Sequence, residues 1–168
     1  MMPTRYMLLA LAALPASAAA QAVVNEPALS TNAALEVASA SLAHCRKEGQ
    51  KVSVTVVDHA GRAKVQVRDD GAAPHTAEHS LRKAYTALTY KTPSAAYGKR
   101  AADSRGAIGP QLLPNITTAA GGVPIRAGSA VIGAVGVSGT PGSAGGGEAD
   151  EKCAEAGIEK IGKELAGK

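Results

Sequence analysis

GGVPIRAGSAVIGAVGVSG, Gly121–Gly139, is the stretch that decides the fold. Val123–Arg126 and Ala130–Val137 have the Val/Ile content of strands, and Ala127-Gly128-Ser129 supplies a turn, so the segment reads as a β-hairpin. Alternation in the second arm puts Val131, Gly133, Val135 and Val137 on one face and Ile132, Ala134 and Gly136 on the other. A strand apolar on both faces is buried on both, so something must pack above and below it. Glycine inside a strand marks a close approach by another backbone or a ligand. These glycines are therefore either packing accommodations in a central strand or a floor beneath a ligand or partner subunit.

The surrounding segments tell what packs there. In Lys51–Asp58, Val52, Val54 and Val56 alternate with Ser53, Thr55 and Val57, the pattern of a half-buried strand. Asp58–Arg62 is a turn, and Ala63–Arg68 returns as the partner strand with Val65 and Val67 against Lys64 and Gln66. Three segments carry helical spacing. Thr31–Glu48 has Thr31 or Asn32 as its cap, a stripe of Leu35, Ala38, Leu42 and Cys45, and Gly49 as a left-handed stop. Ala77–Lys91 is capped by Thr76, has Glu78 in its first turn, and presents Leu81, Ala84, Leu88 and Tyr85 before Pro93. Glu148–Leu165 has Ala154, Ile158, Ile161 and Leu165 on one stripe, with Cys153 at its edge. Pro93–Ala120 is weakly periodic, with short helical pieces at Ser94–Ala102 and Ile108–Leu113, and Thr140–Gly147 is a Gly/Ser-rich loop. The order is helix, two strands, helix, irregular segment, two strands, helix. That is an α+β fold with an antiparallel sheet.

The N-terminus reads as a leader. Arg5 precedes an apolar run, Met7–Leu14, about half the length a bilayer span needs. Pro15 and a small-residue region follow, and Ala18 and Ala20 satisfy the A-x-A rule, so residues 1–20 form a signal peptide cleaved before Gln21. The exported chain is expected in the periplasm or the medium, with no membrane span after cleavage. Residues 21–30 are a flexible lead-in and 31–168 a single domain. With no Trp or Phe in 168 residues, the core rests on Val, Ala, Ile and Leu, which bury little area each, and homo-oligomerisation is a way to gain more. A net charge of +4 without a basic block does not imply nucleic acid. Cys45 and Cys153, an even pair in an oxidising compartment, read first as a structural disulfide, with two free thiols or a metal pair as alternatives.

Chemistry-bearing residues gather around the middle helix. His75 and His79 are four apart, a metal-ligand spacing without the Glu or third ligand of a zinc motif. Tyr85, Tyr90 and Tyr97 follow closely. Histidine and tyrosine are both axial ligands of haem iron. Arg68, Arg82 and Lys83 can pair with carboxylates, including propionates, and Asp69, Asp70 and Glu78 lie nearby. The bland alternative for each is a solvated charge, a helix-end His or a packed Tyr. Ser138, in Gly-Val-Ser-Gly, lacks the full nucleophile elbow, and Gly142–Gly147 lacks the G-K-[ST] of a phosphate loop.

Together, Val56–Gly61, Arg68-x-Asp70-Gly71-Ala72, Lys83-Ala84-x-Thr86-Ala87, Gly121–Ile125, Ile132–Gly139 and Asp150-Glu151-x-x-Ala154-x-Ala156-Gly157 resemble, in order, the GlcG/HbpS-like haem-binding family, also called haem-degrading. The resemblance spans Thr31 to Ala166 and implies a profilin-like three-layer α/β/α arrangement, a homo-oligomer, and haem or a related tetrapyrrole as ligand. On that footing His75 is the first candidate for the haem iron, and His79, Arg68, Asp70, Lys83 and Tyr85 are cofactor-binding candidates. No catalytic residue is assigned. The leading expectation is an exported haem-binding protein for storage, scavenging or sensing. Against it stand a binding module for another small ligand or partner protein, and an enzyme on a small metabolite or haem using Asp70, His75 or Lys83.

Overall fold

The computed structural model describes residues 24–104, 108–141 and 147–166. The leader and its cleavage position, and the glycines at 142–146, lie outside the described residues. The elements are α1 (Thr31–Lys47), β1 (Ser53–Asp58), β2 (Ala63–Arg68), α2 (His75–Tyr90), α3 (Ser94–Asp103), α4 (Ile108–Gln111), β3 (Gly122–Ala127), β4 (Ala130–Ser138), α5 (Glu148–Lys160) and α6 (Gly162–Ala166). The strands form one antiparallel four-stranded sheet in the order β2-β1-β4-β3, so both hairpins of the sequence reading exist and join through β1 and β4. Helices cover both faces. On one side α1 and α5 pack Val37, Ala38, Cys45 and Ala154 against Val54, Val56, Val135 and Val137, and Ile161 beyond the end of α5 joins them. On the other, α2 sets Ala84 and Ala87 on Val57 and Ala134.

The placement of β1 and β4 at the centre corrects the half-buried reading of Lys51–Asp58. Ser53 through Val57 are all buried, and Ser53 and Thr55 face a helix rather than water. The exposed edge is β2. In β4 the face assignment also changes at its start. Ile125 pairs with Gly133 but Arg126 pairs with Val131, so Ile132 is an extra, bulged residue. The bulge shifts the alternation by one. Ile132 therefore joins Gly133, Val135 and Val137 toward α1 and α6, while Val131 turns to the side of Tyr85 and Leu88.

The α1 stripe differs as well. Its buried residues are Ala34, Val37, Ala38, Ser41 and Cys45, while Leu35 is 49% exposed. Small residues serve better here because α5 comes very close: a Cβ on Gly157 would collide with Ser41 Oγ and with the Val37 carbonyl. The cap is Ser30, whose Oγ accepts the Ala33 N–H at 3.1 Å, one residue before the expected Thr31. Gly49 does end the helix with a φ of 69°. Within residues 24–30 there is no regular secondary structure, but Leu29 is buried in the core. The two cysteines form a disulfide, with Cα atoms 5.6 Å apart, that ties α1 to α5.

Candidate functional site

The glycines of the opening stretch are the floor for a helix. A Cβ at Gly136 would strike the Ser80 carbonyl, and one at Gly122 the Lys83 carbonyl, so α2 lies almost on the sheet backbone. This is why the buried face of α2 is Thr76, Ser80, Lys83, Ala84, Thr86 and Ala87, with Leu81 and Leu88 displaced to its half-buried flanks. The leucine stripe expected from periodicity is too bulky for that gap. Helix α2 begins at His75, and Thr76 sits inside its first turn, where its hydroxyl donates to the Ala73 carbonyl at 2.7 Å.

Burying hydroxyls is tolerated only when they are paired, and the seam between α2 and β1 satisfies them in a defined sense. The Thr76 proton goes to Ala73, so Ser53 donates to Thr76 Oγ1 at 2.7 Å. Likewise Ser80 donates to the Ala77 carbonyl at 2.8 Å, and Thr55 donates to Ser80 at 2.7 Å while accepting Gln66 Nε2 at 2.9 Å.

Beyond the seam, where β4 ends and α5 begins, lies the strongest electrostatic feature. Lys83 Nζ donates to Asp150 Oδ2 at 2.7 Å, and both side chains are 3% exposed. The other oxygen, Oδ1, accepts the Thr140 N–H at 3.0 Å. Burial depresses the Lys83 ammonium below the ordinary lysine range, and the carboxylate of Asp150 opposes that loss. One helical turn earlier, His79 Nδ1 lies 3.3 Å from Ser138 Oγ and its Nε2 3.3 Å from Thr117 Oγ1. Burial, aided by the charge of Lys83, lowers the His79 pKa, so this ring is neutral at pH 7. A neutral imidazole donates from one nitrogen and accepts at the other, and two adaptable hydroxyls suit either tautomer.

The expected site residues separate into three places. His75 and His79 share the N-terminal flank of α2, with His75 exposed and free of side-chain hydrogen bonds among the described residues. Lys83 is buried beneath that flank. Arg68 pairs with Ser53 across the strands, which puts its Cβ on the α2 side of the edge strand. Asp70 is exposed in the turn after it. Its neighbour Asp69 is the engaged carboxylate, with Arg46 Nη2 donating at 2.7 Å and holding the acid below its usual range. Tyr85 does not join the histidines: ten helical residues separate it from His75, roughly 15 Å along the axis. Its ring packs on Gly61 and flanks the stacked pair Tyr90–Tyr97, whose centroids are 4.0 Å apart. Burial pushes the Tyr97 phenol up to about 12.

Three functional-looking residues were not among the expected site residues. Asp150 pairs with a lysine 67 positions away, and Thr117 comes from the irregular segment, so no local pattern connects either to α2. Ser138 was legible only as a poor nucleophile motif; its strand parity, opposite Ser53, places it beneath His79. Among the described residues no cluster of three or more His, Cys, Asp or Glu is arranged to hold a bare metal ion.

Comparison with known proteins bears on this arrangement. Residues 29–159 match the family described as "Haem degrading protein HbpS-like". Protein GlcG of Escherichia coli (strain K12) is 36% identical over 107 residues, covering 61% of this chain and 78% of that protein. The crystal structure of a doubly substituted HbpS from Streptomyces reticuli superposes with a TM-score of 0.74 at 35% identity, covering 88% of this chain and 97% of that one. A crystal structure of PduOC in complex with haem superposes with a TM-score of 0.71 at 26% identity, covering 80% of this chain and 96% of that one.

Proposed function

The chain belongs to the HbpS-like family of haem-associated proteins, and on that footing we propose that it binds haem or a related tetrapyrrole. The observation that carries the reading is the family match over residues 29–159, joined to a relative of the same fold crystallised with haem. We read the protein as an exported, periplasmic or secreted homo-oligomer with a profilin-like fold, serving haem storage, scavenging or sensing. The leader read in residues 1–20 supports export, and the helix layers on both faces of the sheet support the fold assignment.

The residues around the start of α2 suit a haem. His75 presents an exposed imidazole with no competing side-chain bond among the described residues, which an axial ligand requires. Residues 75, 79 and 82 follow one another at spacings of four and three, so Arg82 stands on the same flank to meet a propionate. A bound haem would supply an iron centre open to redox and ligand chemistry. His75 would hold that iron, Arg82 and Arg68 would orient the carboxylates, and His79, neutral and doubly bonded, would keep the helix flank fixed.

A binding role rather than turnover is the better reading. Lys83, Asp150, Ser138 and His79 carry catalytic chemistry but are committed to one another, to the Thr117 hydroxyl or to the backbone. Haemin titrated into the purified mature protein tests the proposal. A saturable Soret band that weakens in His75→Ala is expected. No saturable band would overturn haem binding, and a band indifferent to His75→Ala would overturn the ligand assignment.

A further inference from the structure

At the opposite end of α2 from His75 is a cleft of about 490 Å³ that the haem reading does not use. Four separate pieces of chain meet there: the lead-in at Glu26 and Pro27, the β1–β2 turn at His59–Gly61, the C-terminal part of α2 with its cap Lys91, and Ser129–Val131 where the chain enters β4. We propose that this cleft is a second ligand site, selective for a small monocarboxylate with an aromatic or branched apolar body.

The lining sets the chemistry. Leu88, Val131 and the ring of Tyr85 give an apolar wall, and Lys91 and His59 supply the cationic and donor groups. A cleft with an apolar body and few polar groups is the common form of a small-molecule site. Its volume holds a benzoate-sized molecule and leaves room for water.

Two features show that the wall is built. Gly61 has a φ of 76°, and a Cβ there would lie 2.7 Å from Tyr85 Cε2, so the turn backbone is pressed against the ring. A glycine is required twice over, by conformation and by contact. Lys91 is the second. It caps α2 with φ 52° and ψ 35°, the left-handed conformation that helix ends normally give to glycine. The position carries a lysine instead, and its carbonyl is pinned by Arg126 Nη2 at 2.6 Å. Strained, over-determined residues of this kind cluster where a ligand is held. The strain is explained if the ammonium is needed in the cleft. Glu26, also in the lining and exposed on the lead-in, biases the site against dianions and polyanions.

The test uses the full mature chain, ¹⁵N-labelled, titrated at pH 7 with benzoate and with isovalerate, and in parallel with benzamide and isovaleramide. At least one carboxylate should give saturable amide shifts at Gly61, Leu88, Lys91 and Val131, and bind at least tenfold more tightly than its amide. Lys91→Gly removes the ammonium while keeping a residue at ease with positive φ, so it folds. It should weaken that carboxylate at least tenfold. Shifts from neither carboxylate, shifts centred elsewhere, equal binding of acid and amide, or an unchanged affinity in Lys91→Gly would each overturn the proposal. So would displacement of the carboxylate by one equivalent of haemin, which would make the cleft the haem site. A Soret titration that fails while these shifts persist would sink the haem reading alone.

Discussion

Substituting Asp150→Ala should destabilise the protein severely, because it strands a buried ammonium. Lys83 and Asp150 are each 3% exposed, so water does not screen the ammonium once its partner is gone. Removing one member of such a pair costs about 3–5 kcal/mol, since the remaining charge is buried and uncompensated. Loss of the bond to the Thr140 N–H adds about 1 kcal/mol. A domain of this size unfolds with an entropy of roughly 0.3 kcal/mol/K, so the melting temperature should fall by roughly 13–20 °C. The pH dependence separates this cause from simple loss of packing. Lys83 in the folded state has a pKa below its unfolded value, so between the two the unfolded chain binds more protons and stability rises with pH. Without Asp150 that depression deepens. The deficit of Asp150→Ala should therefore shrink on going from pH 7 to pH 10, measured by urea unfolding at each pH. Replacing both partners, Lys83→Met with Asp150→Leu, should recover most of the loss. A deficit below about 1 kcal/mol, or one that does not change with pH while the double substitution stays equally unstable, would show that a stranded buried charge is not the cause.

Reducing the Cys45–Cys153 bond, which spans 108 positions, should remove up to about 4–5 kcal/mol, read as a fall in melting temperature with reductant. Gly136→Ala drives a methyl into the Ser80 carbonyl and should cost about 1–3 kcal/mol by denaturant unfolding, with α2 displaced from the sheet. The folded pKa of His79 is depressed, so its contribution to stability is complete above the unfolded histidine range and is lost as pH falls from there through the lower folded value; His79→Gln should flatten that part of the stability profile. Lys91→Gly relieves a left-handed lysine and should raise stability by about 1 kcal/mol, seen as a higher melting temperature.

The order of elements and both hairpins were legible because alternation and helical spacing are local signals. Pairing between the hairpins, β1 with β4, is not local, and it alone turned Ser53 and Thr55 from solvent to a buried seam. The same holds for helix faces. Periodicity places leucines inward, but the glycines at 122 and 136 admit α2 too closely for leucine, so alanine and hydroxyl residues take the interface. The Ile132 bulge shows a further limit: one inserted residue exchanges the faces of a strand without altering its composition. The disulfide was readable from the even number of cysteines, and its partners meet because α1 and α5 pack side by side. Around the candidate site, the histidines were visible by spacing, whereas Asp150 and Thr117 reach α2 only through the tertiary fold.

Iron-edge anomalous diffraction from crystals grown with haemin is the sharpest test of haem held at the start of α2. One iron peak per chain is expected, at ligating distance from an imidazole nitrogen of His75. Iron in the Tyr85–Lys91 cleft, or no iron peak from crystals grown with saturating haemin, would contradict that placement.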